Sequence, residues 1–197
     1  MTEGGGNHQS EMVEKRTPFF VGTFEPENLY NSRRYAFTLG FIQNFSGDIL
    51  DCGEPNILKE MIEKKFSLRI SSTGEIDLDV SKISGRYDVV FAFEIIEHLM
   101  NPLWFLTQVR ESLRPGGIVY LSTPINKPKF FWRHDHFHEF DEYRLLNLMD
   151  KAGFVVEKKE RRRFYSLSGV RPLIRLALRT GTMFLALRCK PDVSTKR

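Results

Sequence analysis

Two short segments of this 197-residue chain gather residue types that do chemistry. One is Glu94-Ile95-Ile96-Glu97-His98. The other is Asp135-His136-Phe137-His138-Glu139, with His134 just ahead of it. Imidazole changes charge near neutral pH, so His98 and His136 are candidate catalytic groups for moving a proton. Capping or packing is the alternative role for each. Glu94, Glu97, His98 and a histidine of the second segment also make a donor set suited to a divalent ion such as Mn²⁺ or Zn²⁺.

The elements around these segments read as a layered α/β unit. Asp88 to Phe93 is a near-continuous apolar run, the pattern of a strand buried on both faces of a parallel sheet. Asn101-Pro102 signals a helix start, Leu106, Val109 and Leu113 recur at helical spacing, and Pro115-Gly116-Gly117 is the stop. Ile118 to Ser122 is the next strand, which completes a right-handed βαβ unit. Ligands of such sheets bind beyond the carboxyl ends of the strands, where Glu94 to His98 and Ser122 to Pro124 fall. Upstream, Ser32 to Phe45 suits a helix, with Tyr30, Arg33, Arg34 and Tyr35 as candidate cleft residues. Gly47 to Cys52 suits a first strand, Ile57 to Phe66 a helix, Ser67 to Ser72 a second strand, and Ile76 to Val80 a short third strand. Downstream, Asn126 to Phe131 reads as a substrate loop and Asp141 caps a helix through Lys151. Phe154 to Tyr165 is a strand that turns basic, Val170 to Thr180 an amphipathic helix with Arg171, Arg175 and Arg179 on one face, and Thr182 to Cys189 the final strand.

The words YDVVFAFEIIEHLMNP, LRPGGIVYLSTP and HFHEFDEYRLLNLMDKAGF resemble class I S-adenosylmethionine-dependent methyltransferases of the ubiquinone-biosynthesis O-methyltransferase type. The resemblance implies a Rossmann-like sheet of seven mostly parallel strands in the order 3-2-1-4-5-7-6, with helices on both faces. It implies S-adenosylmethionine as cofactor and transfer of its methyl group to a small-molecule or lipid-like acceptor. Its cofactor-binding positions map to Asp51, Cys52, Gly53, Glu54, Ser72, Thr73, Asp79, Phe93 and Glu94. In the family pattern an acidic residue precedes G-x-G-x-G; here Asp51 and Gly53 match, while Pro55 and Ile57 replace the second and third glycines. Ser71, Ser72 and Thr73 stand where a ribose-binding carboxylate is usual, which leaves Glu75, Asp77 or Asp79 as substitutes. These departures keep a non-catalytic binding or scaffold protein of the same fold as an alternative. Glu94-x-x-Glu97-His98 with Asp135-His136-Phe137-His138-Glu139 is also similar to the metal-binding segments of small-RNA 3′-end 2′-O-methyltransferases, a second alternative.

Composition sets the frame. Apolar residues make up 41% and charged residues 27%, as in globular proteins. The chain fits a single domain from residue 17 to 197, preceded by a polar, glycine-containing stretch over residues 1–16 expected to be disordered. The N-terminal residues lack the apolar core of a signal peptide, and two cysteines make no disulfide framework, so a reducing cytoplasmic setting is expected. From Glu157 onward, 12 Lys/Arg oppose 3 Asp/Glu, which marks the C-terminal segment as a possible contact for an anionic partner, RNA or membrane.

Overall fold

The computed structural model describes residues 29–43, 45–164 and 180–191. The expected disordered start, most of the arm that follows it, and nearly all of the 170–180 helix lie outside these residues. Within them, a sheet of six strands has the order β2-β1-β3-β4-β6-β5. The strands are β1 Ile49–Asp51, β2 Ser71–Ser72, β3 Tyr87–Phe93, β4 Leu113–Ile125, β5 Phe154–Arg162 and β6 Gly181–Cys189. The first four run parallel, and β6 joins both β4 and β5 antiparallel.

Side chains alternate across β3 and so divide the core in two. Val90 and Ala92 join Phe105, Leu106, Val109, Leu145 and Met149 on one face. These come from α3 (Pro102–Ser112) and α4 (Glu142–Lys151). Val89 and Phe91 pack on the other face with Tyr35, Phe41, Leu58, Ile62, Tyr120 and Phe184. That face is covered by α1 (Leu29–Phe41) and α2 (Ile57–Phe66). The caps read from sequence form as read. The Asn101 side chain accepts from the Trp104 N–H with Pro102 in the first turn, and Asp141 accepts from Arg144 N–H.

Seven strands become six because Ile76 to Val80 forms turns. The Ile-Asp-Leu-Asp-Val alternation mimics a strand, but Asp77 closes the chain on itself. Its side chain accepts from Asp79 N–H, and its carbonyl accepts from the Val80 and Ser81 N–H groups. The second strand shrinks to two residues for a related reason. Leu68 and Ile70 donate their N–H groups back to Glu63 of α2, which withdraws them from the sheet ladder. In contrast, β4 is longer than expected. It begins at Leu113, directly after α3, and the register with β3 jumps from Tyr87–Leu113 to Val89–Ile118. Pro115-Gly116-Gly117 is thus a bulge inside the strand, with Gly116 at φ 80°.

Candidate functional site

The carboxyl ends of β1 to β4 bring together most of the chemistry-bearing residues. Glu94, just past β3, has φ 55°, a left-handed conformation that disfavours a side chain. The kink lets its N–H donate to the Ser122 carbonyl while its carboxylate accepts from the Ser122 hydroxyl at 2.7 Å. Its other oxygen lies 3.6 Å from Arg34 Nη1. Arg34 is buried, and its Nε has no hydrogen-bond partner. Of the expected cleft set, Arg34 thus meets Glu94, and its guanidinium lies over the ring of Tyr35 at 5.2 Å.

Beyond Glu94, a short 3₁₀ turn over Ile96–His98 sends Glu97 inward. Glu97 is 1% exposed and accepts from the Thr123 hydroxyl at 2.8 Å. Burial, reinforced by the Glu94 charge, pushes its carboxyl up to about 8. His98 Nδ1 lies 2.8 Å from the Asp135 carbonyl oxygen. A carbonyl only accepts, so Nδ1 carries the ring proton and Nε2 is the basic nitrogen. Burial lowers the His98 pKa, which favours the neutral ring. The His136 ring meets His98 edge to face, with centroids 4.6 Å apart. Its Nδ1 lies 3.1 Å from Lys127 Nζ and 3.3 Å from Glu139 Oε1. Burial and then the Lys127 charge push His136 down to about 3.

One donor atom each from Glu97, His98 and His136 falls within a mutual 4.8 Å. That spacing admits a divalent ion. Glu94, expected in the same set, is turned instead toward Ser122 and Arg34. The three alternate histidines do not act together. A turn closed by His136 N–H to the Arg133 carbonyl breaks the period of two. His134 is exposed and His138 stacks on Phe140, so His136 alone enters the cluster.

The other half of the site is the loop after β1. Gly53 has φ 99°, a conformation open to glycine. Its N–H donates to Thr73 Oγ1 at 2.7 Å, and its carbonyl accepts from Ser72 Oγ and the Gly74 N–H. Ser72 Oγ also accepts from Gly74 N–H. Ser72 and Thr73, expected to face a ligand, thus brace the Gly53 loop against β2. Only the Thr73 hydroxyl proton is left over among these groups. Asp51 is buried, its Oδ2 lacks a hydrogen-bond partner, and burial pushes its carboxyl up to about 7. Cys52 is buried beside it, while Glu54 is exposed and gives its carbonyl to the Asn56 side chain. Phe93 stacks on Phe91 at 5.4 Å. Asp79 uses both carboxylate oxygens on the loop before α3, accepting from Asn101 N–H at 2.7 Å and Met100 N–H at 3.0 Å.

Ser122 was legible as a strand-end residue. Thr123 as the partner of Glu97 and Lys127 as the partner of His136 were not, since nothing local marks a contact across a fold, whereas Glu139 lies in the same short segment as His136. A basic C-terminal face is mostly internal business among the described residues. Lys158 and Arg162 pair with Glu160, Lys159 with Glu142, and Arg188 with Glu157. Lys158 and Arg162 also cover the rings of Phe41 and Phe37. No helix among the described residues is long and apolar enough to cross a membrane.

A family model described as a methyltransferase domain matches residues 51–159. Over 91 residues the chain is 33% identical to a ubiquinone biosynthesis O-methyltransferase of Cereibacter sphaeroides, covering 38% of this chain and 37% of that protein. Over 99 residues it is 38% identical to a probable S-adenosylmethionine-dependent methyltransferase of Mycolicibacterium smegmatis, covering 47% of this chain and 37% of that one. The matched region is thus little more than a third of these relatives' length. Among solved structures, a Haemonchus contortus phosphoethanolamine N-methyltransferase in complex with S-adenosylhomocysteine superposes with a TM-score of 0.63 at 13% identity. That superposition covers 82% of this chain and 53% of that one, and it speaks for the fold alone.

Proposed function

The chain belongs to the methyltransferase-domain family, and from that premise we propose that it transfers the methyl group of S-adenosylmethionine to a hydroxyl oxygen of a small-molecule or lipid-like acceptor. The observation that carries the choice of a hydroxyl is the tautomer of His98. With Nδ1–H held by the Asp135 carbonyl, Nε2 presents a lone pair from a ring kept neutral by burial. A hydroxyl oxygen gains nucleophilicity by losing its proton, and in this reading His98 Nε2 takes it. Glu97, buried and protonated to about pH 8, adds no negative charge beside His98 at neutral pH.

The cofactor supplies an activated methyl group and its own leaving group, so the protein's work is positioning plus removal of one proton. The methyl–sulfur bond breaks as the methyl–oxygen bond forms, S-adenosylhomocysteine departs, and the hydroxyl proton ends on His98. The loop after β1 fits such a cofactor in one respect that can be read directly. Asp51 keeps a buried carboxyl oxygen without a partner beside Gly53. In this reading Asp51, Cys52, Gly53 and Glu54 form the floor under the methionine end. Thr73, braced with Ser72, offers one hydroxyl proton to the ribose, and Phe93 and Glu94 lie at the rim. Asp79 acts by holding the Met100–Asn101 loop at the mouth.

The test has two arms. Thermal unfolding with S-adenosylhomocysteine at a hundred times its dissociation constant should add about 2.7 kcal/mol to the folded state. Methyl transfer to a panel of phenols, alcohols and amines then separates the acceptors. His98→Gln should lose roughly 10²- to 10⁴-fold in kcat while keeping the thermal shift. Transfer to amines alone, or full activity in His98→Gln, would overturn the hydroxyl reading. No shift at millimolar ligand would favour a scaffold.

A further inference from the structure

We propose that Lys127 is a positioning residue of this site, an internal cation that fixes His136 as an Nε2–H hydrogen-bond donor opposite the basic Nε2 of His98. The inference rests on the reading of His98 as a proton acceptor for its consequences in catalysis. Its structural claim stands apart from that reading.

The argument starts from what each group can offer. An ammonium has three donors and no acceptor. Lys127 Nζ, 3.1 Å from His136 Nδ1, can only donate, so Nδ1 must hold a lone pair. A neutral ring then carries its proton on Nε2. Glu139 is the second group near this nitrogen. Its Oε1 is 3.3 Å from the same Nδ1, yet both buried carboxylate oxygens lack a hydrogen-bond partner. The ring is not aimed at that oxygen, which leaves the Lys127 ammonium as the hydrogen-bond partner of Nδ1. Lys127 also lies 3.8 Å from Glu139 Oε1, so its charge balances the carboxylate that competes for the ring. The two imidazoles, 4.6 Å apart, are therefore opposite tautomers. His98 is held by a carbonyl as an acceptor at Nε2, and His136 is held by an ammonium as a donor at Nε2. Such a pair suits an acceptor molecule in which one oxygen gives up a proton while a lone pair on the same or an adjacent oxygen receives one hydrogen bond. Neither ring can do the other's work, and the element that sets the difference at His136 is the 126–128 stretch leaving β4.

The deciding experiment is nitrogen-15 spectroscopy of the imidazole rings, which tells a protonated ring nitrogen from a bare one. In the wild-type chain His136 should show Nε2–H and His98 Nδ1–H. In Lys127→Met the competing Glu139 should take over, moving the His136 proton to Nδ1, while His98 keeps its pattern. Lys127→Arg, still a pure donor, should retain the wild-type pattern and guards against a folding defect in the methionine variant. In a methyl-transfer assay Lys127→Met should lose about 10- to 100-fold in kcat, with KM and the S-adenosylhomocysteine dissociation constant within about twofold. Nδ1–H on wild-type His136, or an unchanged His136 pattern in Lys127→Met, would overturn the proposal. A chain without methyl transfer but with the expected nitrogen pattern would refute the hydroxyl reading and still support this one.

Discussion

Replacing Glu97 with glutamine should make the protein more stable at alkaline pH, although it alters a buried residue at the centre of the site. The buried carboxyl is pushed from an ordinary 4.5 to about 8. In the unfolded chain it ionises near the ordinary value. Between those two pH values the fold holds a proton that the unfolded chain has released, so stability falls as pH rises. The slope is about 1.4 kcal/mol per pH unit for one proton. Across the whole window the loss reaches at most about 5 kcal/mol. Glutamine has nearly the same shape and keeps an oxygen to accept from Thr123, which now donates at 2.8 Å. It has no proton to lose. The two proteins should therefore be nearly equal at pH 4 and diverge steadily, with Glu97→Gln ahead by about 2–4 kcal/mol at pH 9. For a chain of this length that is a midpoint difference of roughly 5–15 °C. Asp51, also pushed up to about 7, is present in both proteins and cancels in the difference. Urea unfolding at a series of pH values measures the gap directly. A gap that does not change with pH, or a glutamine variant that is less stable at pH 9, would refute the argument that Glu97 is neutral in the fold.

Other perturbations address the rest of the site. Gly53→Val puts a branched side chain at φ 99°, with its Cβ 3.3 Å from Ile95 Cδ1, and should cost about 1–3 kcal/mol and abolish the thermal shift with S-adenosylhomocysteine. A variant of normal stability that still shows the shift would remove Gly53 from the cofactor loop. Asp79→Ala leaves the Met100 and Asn101 N–H groups without their acceptor and should lower stability by about 1–2 kcal/mol in urea titration. No loss would mean those amides find water equally well. A double-mutant cycle on Arg34→Met and Glu94→Gln should return a coupling of about 1–3 kcal/mol, since each single change strands a largely buried charge. A coupling below about 0.5 kcal/mol would show that the 3.6 Å pair is too loose to matter.

What could be read in advance was whatever depends on near neighbours in the chain. The caps at Asn101 and Asp141 pair side chains with N–H groups three residues on, and β3 declares its double burial through an unbroken apolar run. The failures share one physical cause, local hydrogen bonding winning over the sheet ladder. Asp77 turns a perfect strand alternation into turns, and Glu63 draws Leu68 and Ile70 out of the second strand. In both places a carboxylate offered the backbone a nearer partner than the neighbouring strand did.

The same principle explains why the candidate residues were found but their roles were not. His98 and His136 are visible as imidazoles at any distance, and their types alone made them interchangeable bases. The roles separate only when Asp135, 37 residues from His98, gives it a carbonyl and Lys127 gives His136 an ammonium. Glu97 changes in the same way, from an ordinary acid to a neutral one, when the fold buries it beside the Glu94 charge. A proton acceptor, a carboxylic acid and a ring N–H thus arise from two histidines and a glutamate through partners that carry no catalytic signature themselves. Substitution of Lys127 should therefore alter this chemistry as surely as substitution of the histidines, because the partner decides which nitrogen holds the proton, whereas the Asp135 partner is a backbone carbonyl that a side-chain change leaves in place.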